Sequence, residues 1–463
     1  MLVFLVSCDK KELHFESNAE VNHFIWRGLN SFYFWQEQVT NLSDVRFPSN
    51  SEYNAFLNSE NDNNSFFDNL LYQKEVVDKW SWIVEDYVDL ENSLKAISMH
   101  NGMEFGLVYE KNSTTDIFGY VRYVLPNTDA ASKNIERGMV FKEINGTPLT
   151  VTNYIDLLFS NSSYTIHLAD YNNGNPITNG NTIALTKNQH QENPVFKSNV
   201  INQGAKKIGY LMYNSFTTSF DDELNTAILN LKTQGITDLI LDLRYNSGGS
   251  VRSAIYVSSM ITGQFTGQLF AKKYWNSKFQ SRFDSQDLVD HFTDKINNGI
   301  VQEPINSLHL NEVYIITTRS SASASELVIN CLKPYIDVKT IGTKTTGKYV
   351  GSITLYDSPD LYNKTGINPN HNWAMQPITV EYKNKLDIND KDGFDPDILF
   401  AEEYNNLGVL GELSDPLLQR TITYITTGAK GKPQKQNIFP LNEFSSSRMA
   451  LPTRDNMYAE IKN

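Results

Sequence analysis

Apolar residues recur at helical spacing in VNHFIWRGLNSFYFWQEQV, where Ile25, Leu29, Phe32 and Trp35 share one face, and this predicts a helix over 21–39. The stretch SFFDNLLYQKEVVDKWSWIVEDY, 65–87, predicts a second one. From about residue 100 the pattern changes to short alternating runs, GMEFGLVYE, DIFGYVRYVLP, SYTIHLAD and TIALTK, which predict a β-rich segment. Beyond residue 195 strands and helices take turns. KKIGYLMYNSF reads as a strand and DDELNTAILNLKTQG as a helix with Leu224, Ile228 and Leu231 on one face. DLILDLR is a continuous apolar run of the kind buried on both faces of a parallel sheet. VYIITT, a helix from about Ser323, VKTIGT and a strand YVGSITLYD complete an α/β alternation. Residues 264–310 lack a clean period and read as an insertion, and KGKPQKQ and FSSSR mark a weakly ordered tail. The expected organisation is multidomain α/β: a helical unit over 21–98, a β-rich domain over 99–190, an α/β core over 191–430 and a tail over 431–463.

At 463 residues the chain exceeds one ordinary domain, and about 150 residues per domain suggests about three. With 40% hydrophobic residues there is enough apolar surface for real cores. A net charge of -13 without a basic stripe disfavours general affinity for nucleic acid. His190, His291, His309 and His371 are scattered in polar segments without metal-ligand spacing, so they predict no metal site. At the start, the apolar run Leu2 to Val6 is too short to span a bilayer and leads to Leu5-Val6-Ser7-Cys8. Residues 1–8 resemble the lipobox of bacterial lipoproteins, which implies a lipid on Cys8, a linker over 9–20 and attachment to the bacterial cell envelope. The other cysteine, Cys331, lies in an apolar stretch and reads as a small buried side chain.

Two strings carry candidate chemistry. IGTKTTGKYVG fits a phosphate-binding loop from Gly342 to Lys348, but the next position is Tyr349 where Ser or Thr is required, and a strand follows where the loop needs a helix. Lys348 therefore needs another role. TRSSASASEL places Ser323 after a strand and before an apolar helix, with Glu326 three residues on, the spacing of a helix capping box. A serine at such a junction is also exposed to attack a substrate beside amides that point toward it. The nucleophile-elbow string G-x-S-x-G is absent.

SASASE, the upstream LDLRYNSGG and a Gly-Lys pair placed 25 residues after Ser323 together resemble the carboxyl-terminal processing (tail-specific) serine peptidases, over most of residues 20–425. The resemblance implies a crotonase-like α/β core carrying a PDZ domain, and a serine and lysine dyad. It makes Ser323 the nucleophile and Lys348 the general base, with backbone amides of Gly248 or Gly249 and of Ala324 as the oxyanion hole. Asp242 and Arg244 match the family's D-L-R and brace the loop. Family members commonly carry Gln where this chain has Ser352, and Gly where it has Ser320. PNTDAASKNIERGMVFKEINGTPL resembles part of a PDZ domain, which would make Phe105, Gly106 and Leu107 the loop that receives a ligand's terminal carboxylate. PDZ domains bind extended tails by strand addition, so the implied partners are proteins with exposed C-terminal tails.

The chemistry asked of the pair is demanding. A serine hydroxyl needs a base to take its proton, and with a reference pKa of about 10.4 only about one lysine in two thousand is neutral at pH 7. Burial in an apolar pocket is the usual remedy. The rival expectations are a catalytically silent member that binds peptides and, from the shared core, acyl-thioester chemistry.

Overall fold

The computed structural model describes residues 17–297, 302–431, 443–450 and 456–459; Cys8 and its surroundings lie outside them. The chain forms two compact units, one from residues up to 87 with 275–282 and 354–379, the other from the remainder.

The smaller unit is built on the helix Ser17–Phe32, whose Phe24, Ile25, Leu29 and Phe32 are buried. The expected helix to residue 39 stops at Phe32 because the amide of Phe34 donates to the carbonyl of Ile378 at 2.8 Å. Trp35 is buried all the same. Likewise 65–87 is not one helix. Asn63–Asp68 is helical, but the Asp78 carboxylate accepts from the amides of Trp80 and Ser81 and turns the chain into the strand Trp82–Val84. That strand pairs with Ala374–Gln376, which pairs with Leu355–Tyr356. The expected single strand over 349–357 is thus broken: Val350–Ser352 belongs to the larger unit and Leu355–Tyr356 to the smaller.

Among the described residues, two of the sheets of the larger unit frame the candidate site. One is antiparallel, with Met103–Tyr109, Ile117–Val124, Val140–Ile144, Ser163–Asp170 and Ile177–Thr186 in that order. Leu107, Ile117, Val121, Phe141 and Ile166 fill its core. Phe105, Gly106 and Leu107 lie inside the strand Met103–Tyr109, not in the expected loop.

The second sheet runs in the order Val195–Gln203, Lys206–Tyr213, Asp238–Asp242, Glu312–Thr317, Asp337–Gly342 and Ile398–Leu399, parallel after the first pair. All five residues of Asp238–Asp242 are buried, as its continuous apolar run requires. The helix Pro416–Thr427 lays Leu417, Leu418, Ile422 and Ile425 against Ile208, Ile240 and Ile316. Parallel register brings the ends of Asp238–Asp242, Glu312–Thr317 and Asp337–Gly342 together. The loops 243–250, 318–323 and 343–348 therefore leave the sheet at its carboxyl edge, the usual place for a site in an α/β sheet.

The tail expected to be weakly ordered supplies strands. Glu443–Ser446 adds to the outer edge of Met103–Tyr109, and Met457–Tyr458 pairs with Gly249–Ser250 on one side and Val350–Ser352 on the other.

Candidate active site

Ser323 occupies the junction between the strand Glu312–Thr317 and the helix Ala324–Leu332 with φ 64° and ψ -115°. A side chain held in that region costs about 1–3 kcal/mol, so its surroundings must over-determine it. They do. The amide of Ala322 donates to the carbonyl of Asn246 at 3.2 Å, and the hydroxyls of Ser321 and Ser325 donate to the carbonyls of Leu243 and Asn246 at 2.7 and 2.9 Å. The Ser323 amide donates to Glu326 Oε2 at 2.8 Å, which is one half of the expected capping box. The Ser323 hydroxyl is fully buried and has no hydrogen-bond partner.

Lys348 reaches the same place from the loop 343–348. The Thr346 amide donates to the Ser321 carbonyl at 3.1 Å and its hydroxyl to the Arg319 carbonyl at 2.7 Å. Glu326 completes the attachment. Its Oε2 also accepts from the Lys348 amide at 2.8 Å, and its Oε1 accepts from the Gly347 amide at 2.7 Å and the Thr345 hydroxyl at 2.6 Å. One buried carboxylate thereby fixes the backbones of Ser323 and Lys348 to each other. Burial pushes the Glu326 carboxyl up to about 6 against the opposing pull of these donors. Because the amides from Thr345 to Lys348 all have protein acceptors, the loop offers no cradle to a phosphate. The Lys348 side chain is 2% exposed and lines one cavity with Ser323, Leu327, Tyr382, Phe394 and Met457.

The glycine loop closes the other side. Gly248 has φ 115°, and a Cβ there would lie 2.6 Å from Ser323 Cβ, 2.9 Å from Ser323 Oγ and 2.4 Å from the Asn456 carbonyl oxygen. Only glycine permits this approach. The Gly248 amide donates within its own loop to Asn246 Oδ1 at 2.9 Å, whereas the Gly249 amide donates to the Asn456 carbonyl at 2.6 Å. Ala324 is buried at the first helical position. Ser352 is buried, and its hydroxyl donates to Asn456 Oδ1 at 3.2 Å and to the Met457 carbonyl at 3.3 Å.

Asp242 and Arg244 stand behind the loop. Arg244, fully buried, donates to both Asp242 oxygens and to Glu402 Oε1, and is paired with Asp415 at 2.7 Å. Arg137 and the Tyr245 hydroxyl reach the same Glu402 carboxylate at 2.6 Å each. Together these cations outweigh the cost of burial and hold Glu402 down to about 2. Ser320, in place of glycine, accepts from Arg122 at 2.9 Å and so ties the loop that carries Ser323 to the antiparallel sheet. Cys331 is a buried free thiol whose pKa burial raises. Among the described residues no group of three or more His, Cys, Asp or Glu could hold a metal ion, and no helix is long and apolar enough to cross a membrane.

Residues 207–398 match the model of peptidase family S41 and residues 20–82 match that of the peptidase S41 N-terminal domain, together more than half of the chain. The chain belongs to peptidase family S41. This S41 chain is 23% identical over 329 residues to the chloroplastic C-terminal processing peptidase of Tetradesmus obliquus, covering 68% of the chain and 65% of the relative. It is 25% identical to a carboxyl-terminal-processing protease of Picosynechococcus over 53% of the chain and 51% of the relative. The aligned part thus spans about half to two thirds of these curated relatives. A candidate S41 protease from Bacteroides fragilis shares the fold with a TM-score of 0.67, covering 88% of this chain and 97% of that one at 22% identity. The photosystem II D1 C-terminal processing protease follows at 0.50, with 84% and 94% covered and 18% identity.

Ser323, Lys348, Gly248 and Gly249 thus converge, while Phe105, Gly106 and Leu107 lie on the antiparallel sheet and not beside Ser323. Two parts of the site escaped the sequence reading. Glu326 was legible as a cap but not as the link to Lys348, and nothing near Asn456 and Met457 signalled that they would reach Ser323.

Proposed function

We propose that this S41 member is a serine endopeptidase acting on protein tails, with Ser323 as nucleophile and Lys348 as general base. The observation that carries this is the single Glu326 carboxylate that binds the backbones of both residues while their side chains line one buried cavity. Burial disfavours the charged form of a lysine and so helps it serve as a base, although the wall around Lys348 mixes apolar Leu327 and Phe394 with Glu326, Asn330 and Asp390. Lys348 Nζ takes the Ser323 proton as Oγ bonds to the substrate carbonyl carbon, and the oxyanion is received by the amides of Gly249 and Ala324. The scissile C–N bond then breaks, with the proton passing to the leaving amine. Water, deprotonated by Lys348, hydrolyses the acyl ester and restores the hydroxyl.

The parallel sheet and its helices are the crotonase-like core in this reading, and the antiparallel sheet is the PDZ-like domain. Its strand Met103–Tyr109, with Phe105, Gly106 and Leu107, would accept a tail by strand pairing on the side that Glu443–Ser446 occupies. A fluorophosphonate probe tests the reading: Ser323 should be labelled in the parent and not in Lys348→Ala, whereas labelling that persists without the lysine would remove it from the mechanism.

A second reading, a peptide-binding member without turnover, is favoured by one observation, the complete burial of the Ser323 hydroxyl. It predicts no labelling under any condition. Lipidation of Cys8 and envelope attachment are further parts of the proposal. Cys8→Ala should release the protein from the membrane fraction of a bacterial lysate, and unchanged fractionation would count against the anchor.

A further inference from the structure

Two edges of the larger unit suit an extended polypeptide, and a short piece of this chain lies on each, 443–448 on one and 456–459 on the other. At the first, Glu443, Ser445 and Ser446 pair antiparallel with Val108, Leu107 and Gly106, and the Phe105 amide donates to Ser447 Oγ at 3.1 Å. The Glu443 carboxylate accepts from Arg122 and, at 2.7 Å, from the Tyr120 hydroxyl. The Phe444 ring meets Tyr109 and Tyr154 edge-on, each at 5.3 Å. Arg448 then anchors the segment, donating to the Tyr123 hydroxyl at 2.7 Å and to Glu192 at 2.9 Å.

At the second edge Met457 and Tyr458 run parallel between Gly249–Ser250 and Ser352, and the Ala459 amide donates to the Ser352 carbonyl at 2.9 Å. The Asn456 carbonyl sits on the Gly249 amide beside the Ser323 hydroxyl, and Met457 forms part of the wall around Ser323 and Lys348. Asn456 and Met457 are each only 1% exposed. An amide placed to receive an oxyanion is therefore holding a backbone carbonyl from the chain itself, and the nucleophile beside it is shut from solvent.

We infer that residues 443–448 and 456–459 are resident competitors for the two polypeptide-accepting edges, which a substrate must displace before it reaches Ser323. This rests on the peptidase reading for the meaning of the second edge. The occupants also define the class of chain that would compete with them: extended, with an acidic residue opposite Arg122 followed by an aromatic one facing Tyr109 and Tyr154, and a small polar residue followed by an apolar one at Ser323.

The test uses binding, so that an inert catalytic site does not obscure it. In the full chain carrying Ser323→Ala, the affinity for a fluorescein-labelled peptide of residues 443–459 is measured by anisotropy, with and without Phe444→Asp and Met457→Asp together. Loosening the resident pieces should tighten peptide binding at least about tenfold, a change of about 1.4 kcal/mol. Equal affinity in the two chains, or no binding by a loosened chain that still melts cooperatively, would overturn the inference. If the Asp pair does not fold, Phe444→Ala with Met457→Ala makes the same comparison without placing a charge among buried groups.

Discussion

Glu326 does two things at the residue scale that pull in opposite directions with pH. Its carboxyl lies at about 6 in the fold against an ordinary 4.5, so the native state holds the proton more tightly than the unfolded chain. The stability it contributes is full below about pH 4.5 and is lost as pH rises through 6, about 2 kcal/mol in all. Activity should follow the other sign, because only the ionised carboxylate can accept from all four of its donors. Below pH 6 the logarithm of kcat/KM should therefore fall more steeply in the parent than in Glu326→Gln, by up to one unit of slope for the proton on Glu326. Glu326→Gln should also have lower activity throughout, and should lose the acid gain in stability seen by denaturant melts of the parent. Equal slopes in the two proteins would detach Glu326 from catalysis. Ser323 and Lys348 stand out in the sequence through strings that resemble a peptidase family, whereas spacing alone marks only a strand-to-helix junction with a cap at Ser323. Glu326 could be read only as a cap, since its other donors lie 19 to 22 residues away on a loop whose return to Ser323 is tertiary.

At the scale of elements, the loop 243–250 keeps its shape because Arg244 is surrounded by Asp242, Glu402 and Asp415. Replacing it with Met fits the volume but leaves three buried carboxylates short of a cation. Removing one partner of a buried pair costs about 3–5 kcal/mol. Arg244→Met should therefore lower the denaturation midpoint by that free energy and abolish activity with it, and a midpoint within about 0.5 kcal/mol of the parent would refute the bracing role. The parallel strands were legible because burial on both faces leaves an unbroken apolar run, as in DLILDLR. The aromatic-rich segments were not. In 65–87 helical spacing of apolar residues was overridden by Asp78, whose carboxylate offers backbone amides an alternative to the helix. The strand over 349–357 failed for a different reason: its two halves pair with different partners, and a sequence pattern does not reveal where pairing changes.

At the scale of the whole molecule, the chain's final described residues return to two edges that are distant in sequence, Met103–Tyr109 and Gly249–Ser250. Short polar strings such as FSSSR carry too little periodicity to predict pairing, because an added strand draws its stability from edge hydrogen bonds that any sequence can make. The proposed function is nonetheless chemical, with Ser323 and Lys348 cleaving polypeptide together. Its most direct test is mass spectrometry of an unfolded protein with an apolar C-terminus after incubation with the parent, the chain loosened at Phe444 and Met457, Ser323→Ala and Lys348→Ala. New peptide termini from the first two, faster from the loosened chain and reduced at least about a thousandfold in both dyad variants, are the predicted result. Equal cleavage by either dyad variant, or none by the loosened chain at any pH, would contradict it.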